Sequence, residues 1–209
     1  MNFDLDDEQI LFKQMVDRML DAQAAATVRD AADEWRAWHE LGLLALPFPA
    51  DLGGLGGDAE AVMLLMESYG RTLAQAPYLQ TVLLAGRMLA RAGHAALAGI
   101  LDGELRAALC LHEPGMRYHW DMPTTKAERI DGGWRLRGAK IAVLDADTAD
   151  LLIVPAETPG GLTLFAVPVT TPGVSLRVRP TPDGRRAVDV DLDVTLPPDA
   201  ALGDAAVLA

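Results

Sequence analysis

Four histidines, one cysteine and thirty carboxylates are this chain's reserve of groups that could do chemistry. His39, His94 and His119 lack metal-ligand spacing to Cys110 or to one another, so no metal centre is predicted. No Ser/His/Asp arrangement can be assembled either. Cys110, being alone, excludes a disulfide within the chain and fits a reducing compartment. The glycine-rich stretch Leu52 to Gly57 does not run from a strand into a phosphate-binding helix, and reads as a connection between helices. Met63, Met66 and Met88 read as core fillers. Asp4 to Glu8 reads as solvated surface. Asp189, Asp191 and Asp193, at a spacing of two, share one face of a strand, where they are solvated or meet an arginine of a partner.

The elements that would position these groups change character half-way along. Asp6 can cap a helix from Asp6 to about Ala25, with Gln9 three residues on able to reach back. Leu11, Met15 and Met19, beside Phe12, Val16 and Leu20, predict one buried stripe on it. Further helices are predicted over Asp33 to Leu43, Asp58 to Leu73 (Val62, Leu65, Met66 and Tyr69 on one face), Pro77 to Arg91, and His94 to Leu101. Beyond Leu105, β-branched residues alternate with polar ones. Strands are predicted over Thr124 to Ile130, Trp134 to Leu136, Leu151 to Val154, Leu162 to Val167, Val174 to Val178 and Ala187 to Leu192, with Asp131-Gly132-Gly133 closing a hairpin. Six or seven such strands suggest a small barrel or sandwich. The expectation is an α+β chain: an all-α domain over 1–105, an antiparallel β-barrel-like domain over 106–203, and 204–209 as the start of a further helical segment.

Composition narrows the partners. Half of the 209 residues are hydrophobic and 23% are charged, which argues against disorder. A net charge of −12 would repel phosphate backbones, so nucleic acid is not expected. The start is acidic where a targeting peptide would be basic, and no apolar run approaches the ~20 residues of a membrane span. A cytoplasmic protein without membrane contact is the expectation.

Several motifs stand in order along the chain: Trp35, Leu41-Gly42 to Pro47, Leu52-Gly53-Gly54-Leu55-Gly56, Glu67 with Gly70-Arg71, His112-Glu113-Pro114-Gly115, Gly138-Ala139-Lys140 and Ala149-Asp150. In this register the chain resembles the acyl-CoA dehydrogenase family. Glu67 to Arg71, Pro77-Tyr78-Leu79 with Thr81, Thr148 to Asp150, and Pro180 to Ala187 look like the small subunits of bacterial heteromeric members, the pimeloyl-CoA type being the nearest pattern. The resemblance implies FAD, held between the β domain and a C-terminal helical bundle, partly across a subunit interface. It also implies an acyl-CoA thioester substrate desaturated at the α–β position, with a glutamate base from that bundle. The chain stops at Ala209, so the bundle and base are expected to be absent, and no catalytic residue is assigned here.

The resemblance places cofactor contacts at Leu109, Leu111, His112, Gly115 and Tyr118, and at Ala142 and Leu144. Small hydroxyl residues of the family pattern are replaced by His112 and Tyr118, which either contact the cofactor or fill its space. Where the family has an indole against the flavin and a hydroxyl towards N5, this chain has Ala142 and Leu144. The chain's own flavin site therefore reads as degraded, or as plain core strand. Gln80 and Leu84 fall where the family's helix lines the acyl tunnel; the alternative is an ordinary half-buried helix. The expected partner is a second acyl-CoA dehydrogenase subunit, or a second copy. A non-catalytic scaffold or thioester-binding module derived from the family is the competing reading.

Overall fold

A computed structural model describes residues 4–26, 31–117 and 119–204. It divides into two compact units, Met1–Ala76 with Leu101–Gly103, and Pro77–Ile100 with Glu104–Ala209.

The first unit is helical. Helix α1 (Asp7–Ala25) opens on the predicted capping box, in which the Asp6 side chain accepts from the Gln9 amide while Gln9 reaches back to Asp6. Its buried face is narrower than predicted. Val16 and Leu20 are buried and Phe12 half-buried, whereas Leu11 is 66% exposed and Met15 is exposed beside it. Helix α1 packs along α3 (Ala59–Arg71), with polar contacts at the edge of the shared face. There Lys13 bridges to Glu67, and Asp17 and Asp21 bridge to Arg71.

Helix α2 (Ala31–Glu40) stops short of the predicted Leu43. Gly42 takes φ +72°, its amide bonds to His39 and the Leu43 amide bonds to Trp38, the paired bonds of a Schellman ending. Helix α3 begins at its cap Asp58 and ends with the same bond pair, Leu73 to Gly70 and Ala74 to Tyr69. In α3 the left-handed position is filled by Leu73, at φ +50°. Trp38 and Tyr69 meet edge to face at 6.0 Å in the core between α2 and α3.

The second unit begins where one helix was predicted. Leu79–Gly86 is π-helical, running on into α4 (Arg87–Arg91), and α5 (Ala96–Leu101) follows. The sheet strands are β1 (Ala107–Leu109), β2 (Lys126–Ile130), β3 (Gly133–Leu144), β4 (Leu151–Thr158), β5 (Gly161–Pro168), β6 (Val174–Pro180), β7 (Arg186–Leu196) and β8 (Ala201–Asp204). They form an open path in the order β6-β7-β3-β2-β4-β5-β8, with β1 also on β4. The predicted helix-then-sheet order stands, and the β2–β3 hairpin turns on Asp131-Gly132 as its sequence requires.

The antiparallel expectation gives way at β4, whose whole length pairs with β5 on one edge. Its other edge takes two parallel neighbours, β1 against Leu151–Ile153 and β2 at Glu157. Between them lies Pro155, which has no amide hydrogen to offer a ladder. The core beneath includes Leu136, Val143, Leu152, Val154, Phe165 and Val190. Residues 201–204 pair with β5, so Asp204, expected to open a helical segment, ends a strand instead; 205–209 lie outside the described residues.

Candidate cofactor wall

The segment from Leu109 to Gly115 is fixed at both ends by backbone chemistry. At its start, β1 has one edge on β4, and its other edge is taken by the π-helical segment rather than by a strand. Thr81 Oγ1 donates to the Ala107 carbonyl at 3.0 Å, and Gln80 Oε1 accepts from the Leu109 amide at 3.2 Å. Gln80 is thus buried and its carbonyl oxygen engaged, while Leu84, four residues on, is half-buried. At the far end, Glu113-Pro114-Gly115-Met116 closes with the Met116 amide on the Glu113 carbonyl at 3.1 Å, and Gly115 has φ +76°. Proline second and a positive-φ glycine third is the requirement of a type II turn. A β-carbon on Gly115 would meet nothing within 4 Å, so the turn faces open space.

The second segment is the far end of β3. From Lys140 to Val143 the strand advances three residues while β7 advances two, from Val190 to Val188, so β3 carries one extra residue there. Lys140 and Val143 both turn inward and Ala142 bows outward at φ +53°. The sequence alternation of β3 concealed this bulge. It brings the two segments together: the Ile141 amide donates to the His112 carbonyl at 2.9 Å. His112, Gly115 and Ala142 are exposed, Leu109 is buried, and Leu111 and Leu144 are half-buried. Tyr118 lies outside the described residues.

Beneath the junction is a contact that sequence reasoning missed. Lys140 Nζ sits 2.6 Å from Glu113 Oε1, and both side chains are 0% exposed. Lys140 also donates to the Pro155 carbonyl at 2.7 Å, filling the gap in the β4 ladder. The Glu113 carboxylate further accepts from the Thr124 hydroxyl and the Thr124 and Thr125 amides. Burial pushes the Glu113 carboxyl up, but the hydrogen bonds from Lys140, Thr124 and Thr125 prevail and hold it at about 2. Burial lowers Lys140, with Glu113 opposing. Glu113 is therefore a spent carboxylate, fully occupied as an acceptor, and not a base. Burial raises the Cys110 thiol to about 12, which leaves it an inert core side chain.

A second correction concerns the Asp189-Asp191-Asp193 face. Its arginines come from this chain. Arg177 and Arg179 of β6 pair with Asp189, which is buried and also accepts from the Ala142 amide at 3.4 Å, and Arg135 and Arg137 of β3 pair with Asp193. Arg179 holds the Asp189 carboxyl below the usual range. The alternating Arg-x-Arg of 177–179, facing Asp-x-Asp across a sheet, was the signal available in the sequence.

Sequence models of the acyl-CoA dehydrogenase N-terminal domain and of its middle domain match residues 6–98 and 108–192. The chain belongs to the acyl-CoA dehydrogenase family. It is 29% identical over 194 residues to a benzylmalonyl-CoA dehydrogenase of Aromatoleum aromaticum, covering 84% of this chain and 51% of that one. The ChsE4-ChsE5 complex of Mycobacterium tuberculosis superposes with a TM-score of 0.86 at 24% identity, covering 99% of this chain and 60% of that one. A variant of the Tcur3481-Tcur3483 steroid ACAD gives 0.84 at 29% identity, covering 96% and 58%. The chain spans about half the length of the curated relatives it matches.

Members of this acyl-CoA dehydrogenase family are FAD-dependent, so the wall can be weighed against a flavin. It offers two docked backbone segments, an exposed imidazole at His112 and open space before Gly115. At 142 it presents a methyl group and at 144 a half-buried isobutyl group. Neither gives a ring to stack on nor a hydroxyl to donate. These residues fit one side of a flavin site and not a complete one.

Proposed function

We propose that this chain is one subunit of a FAD-dependent acyl-CoA dehydrogenase that desaturates acyl-CoA thioesters at the α–β position. A second, different acyl-CoA dehydrogenase chain completes the flavin site and supplies the base. The observation that carries this reading is the docked but bare wall. The framework that presents His112, Gly115 and Ala142 is intact, yet the positions that would grip the ring are Ala142 and Leu144. Glu113, the carboxylate built into that wall, is consumed by Lys140 and the Thr124–Thr125 segment.

A further observation supports a shared site: two of the superposing structures, ChsE4-ChsE5 and Tcur3481-Tcur3483, carry two-chain names. A buried, unpaired cysteine fits a cytoplasmic setting, and among the described residues no helix is long and apolar enough to cross a membrane.

The test is to express this chain with and without companion acyl-CoA dehydrogenase chains and to follow thioester-dependent reduction of an electron-accepting dye. Turnover is expected only in combination. Turnover by this chain alone would remove the shared-site reading. Thioester binding without turnover in every combination would favour the scaffold alternative.

A further inference from the structure

Lys140 and Glu113 lie 27 residues apart in sequence, wholly shielded from solvent, and their bonds tie together four lengths of backbone. Glu113 follows His112 directly and gathers Thr124 and Thr125. Lys140 precedes the β3 bulge and reaches the Pro155 carbonyl of β4. The pair thus sits under the backbone bond that docks the two wall segments, from the Ile141 amide to the His112 carbonyl, without either charged side chain taking part in it.

A pair of buried charges is a weak source of stability. Desolvation offsets its attraction, and well-packed apolar residues often serve as well. What charges add is selectivity among arrangements, because a misplaced loop would leave a buried lysine or glutamate unpaired. We propose that Lys140 and Glu113 are a positioning pair that fixes the 112–117 loop on the bulged end of β3 and thereby sets the shape of the wall offered to the flavin. The conformational part of this inference stands on the contacts above; its link to FAD rests on the proposed function.

The test replaces both charges by apolar residues of similar volume, Glu113→Leu with Lys140→Met, and measures amide hydrogen exchange in the whole chain. The Ile141 amide is expected to exchange roughly tenfold faster. The Cys110 amide, bonded to the Ile153 carbonyl, should keep its protection, and the thermal midpoint should be retained. Ile141 protection equal to that of the unsubstituted chain would overturn the inference. So would a general rise in exchange with a lowered midpoint, or failure to fold, since either would make the pair a plain stabiliser. The complex with a companion chain supplies the functional readout, with weaker FAD retention expected in the double variant and equal retention contradicting the link to the cofactor. If the unsubstituted complex holds no FAD, the proposed function fails while Ile141 exchange still decides the positioning claim.

Discussion

Glu113 is buried, and its carboxylate is fully engaged as an acceptor from Lys140, Thr124 and Thr125. Its place in Glu-Pro-Gly was visible, and so was Lys140 after Gly138-Ala139. Their pairing was not: alternation places Lys140 on the face of buried Trp134 and Leu136, but its charge argues for solvent, and the bulge that follows it, turning Val143 inward too, has no signature in the pattern. Removing one partner strands the other charge, so Glu113→Gln is expected to cost about 3–5 kcal/mol in denaturant unfolding. Acid should act on the same contact. The folded-state Glu113 carboxyl lies at about 2, below its ordinary 4.5, so its contribution is complete above 4.5 and is lost as the pH falls towards 2. Thermal midpoints across that interval should fall more steeply in the unsubstituted chain than in Glu113→Gln. That Ala142 and Leu144 lack a ring and a hydroxyl follows from identity alone. That Ala142 bows out of the strand at φ +53° did not follow from identity.

Among the elements, beginnings were more legible than ends. Asp6 with Gln9, and Asp58 before α3, are local signals, and both caps form. The end of α2 depends on a left-handed Gly42 that a run of apolar residues conceals. The end of α3 puts Leu73, a residue with a β-carbon, into the same left-handed position, exposed to solvent. Relieving that strain outweighs the extra freedom glycine gains when unfolded, so Leu73→Gly is expected to stabilise the protein by roughly 0.5–1 kcal/mol in urea unfolding. A loss of stability there would mean that the Leu73 side chain contributes packing its exposure does not suggest. The π-helical turn was illegible for a physical reason. Its bonds skip one residue further than an α-helix does, and what anchors it is the free edge of β1, met through Gln80 and Thr81. The same tie explains why 77–100 groups with the sheet and not with the preceding helices.

On the scale of the molecule, family membership was legible through the order of glycine, proline and Glu-Pro-Gly motifs, and several of those glycines, Gly42, Gly53, Gly56 and Gly115 among them, sit at positive φ. Surface assignments fared worse. The stripe on α1 was drawn too wide, since Leu11 and Met15 are exposed, and the Asp189–Asp193 face meets arginines of its own sheet. The proposed function takes the surface around His112, Gly115 and Ala142 as a cofactor wall that is shaped but ungripped. The visible absorption spectrum of the purified protein, alone and after co-purification with a companion acyl-CoA dehydrogenase chain, tests that most directly. The account predicts a colourless chain in isolation and a yellow complex with FAD bound. A chain that emerges yellow by itself, with one FAD per polypeptide, whether monomer or homo-oligomer, would contradict it.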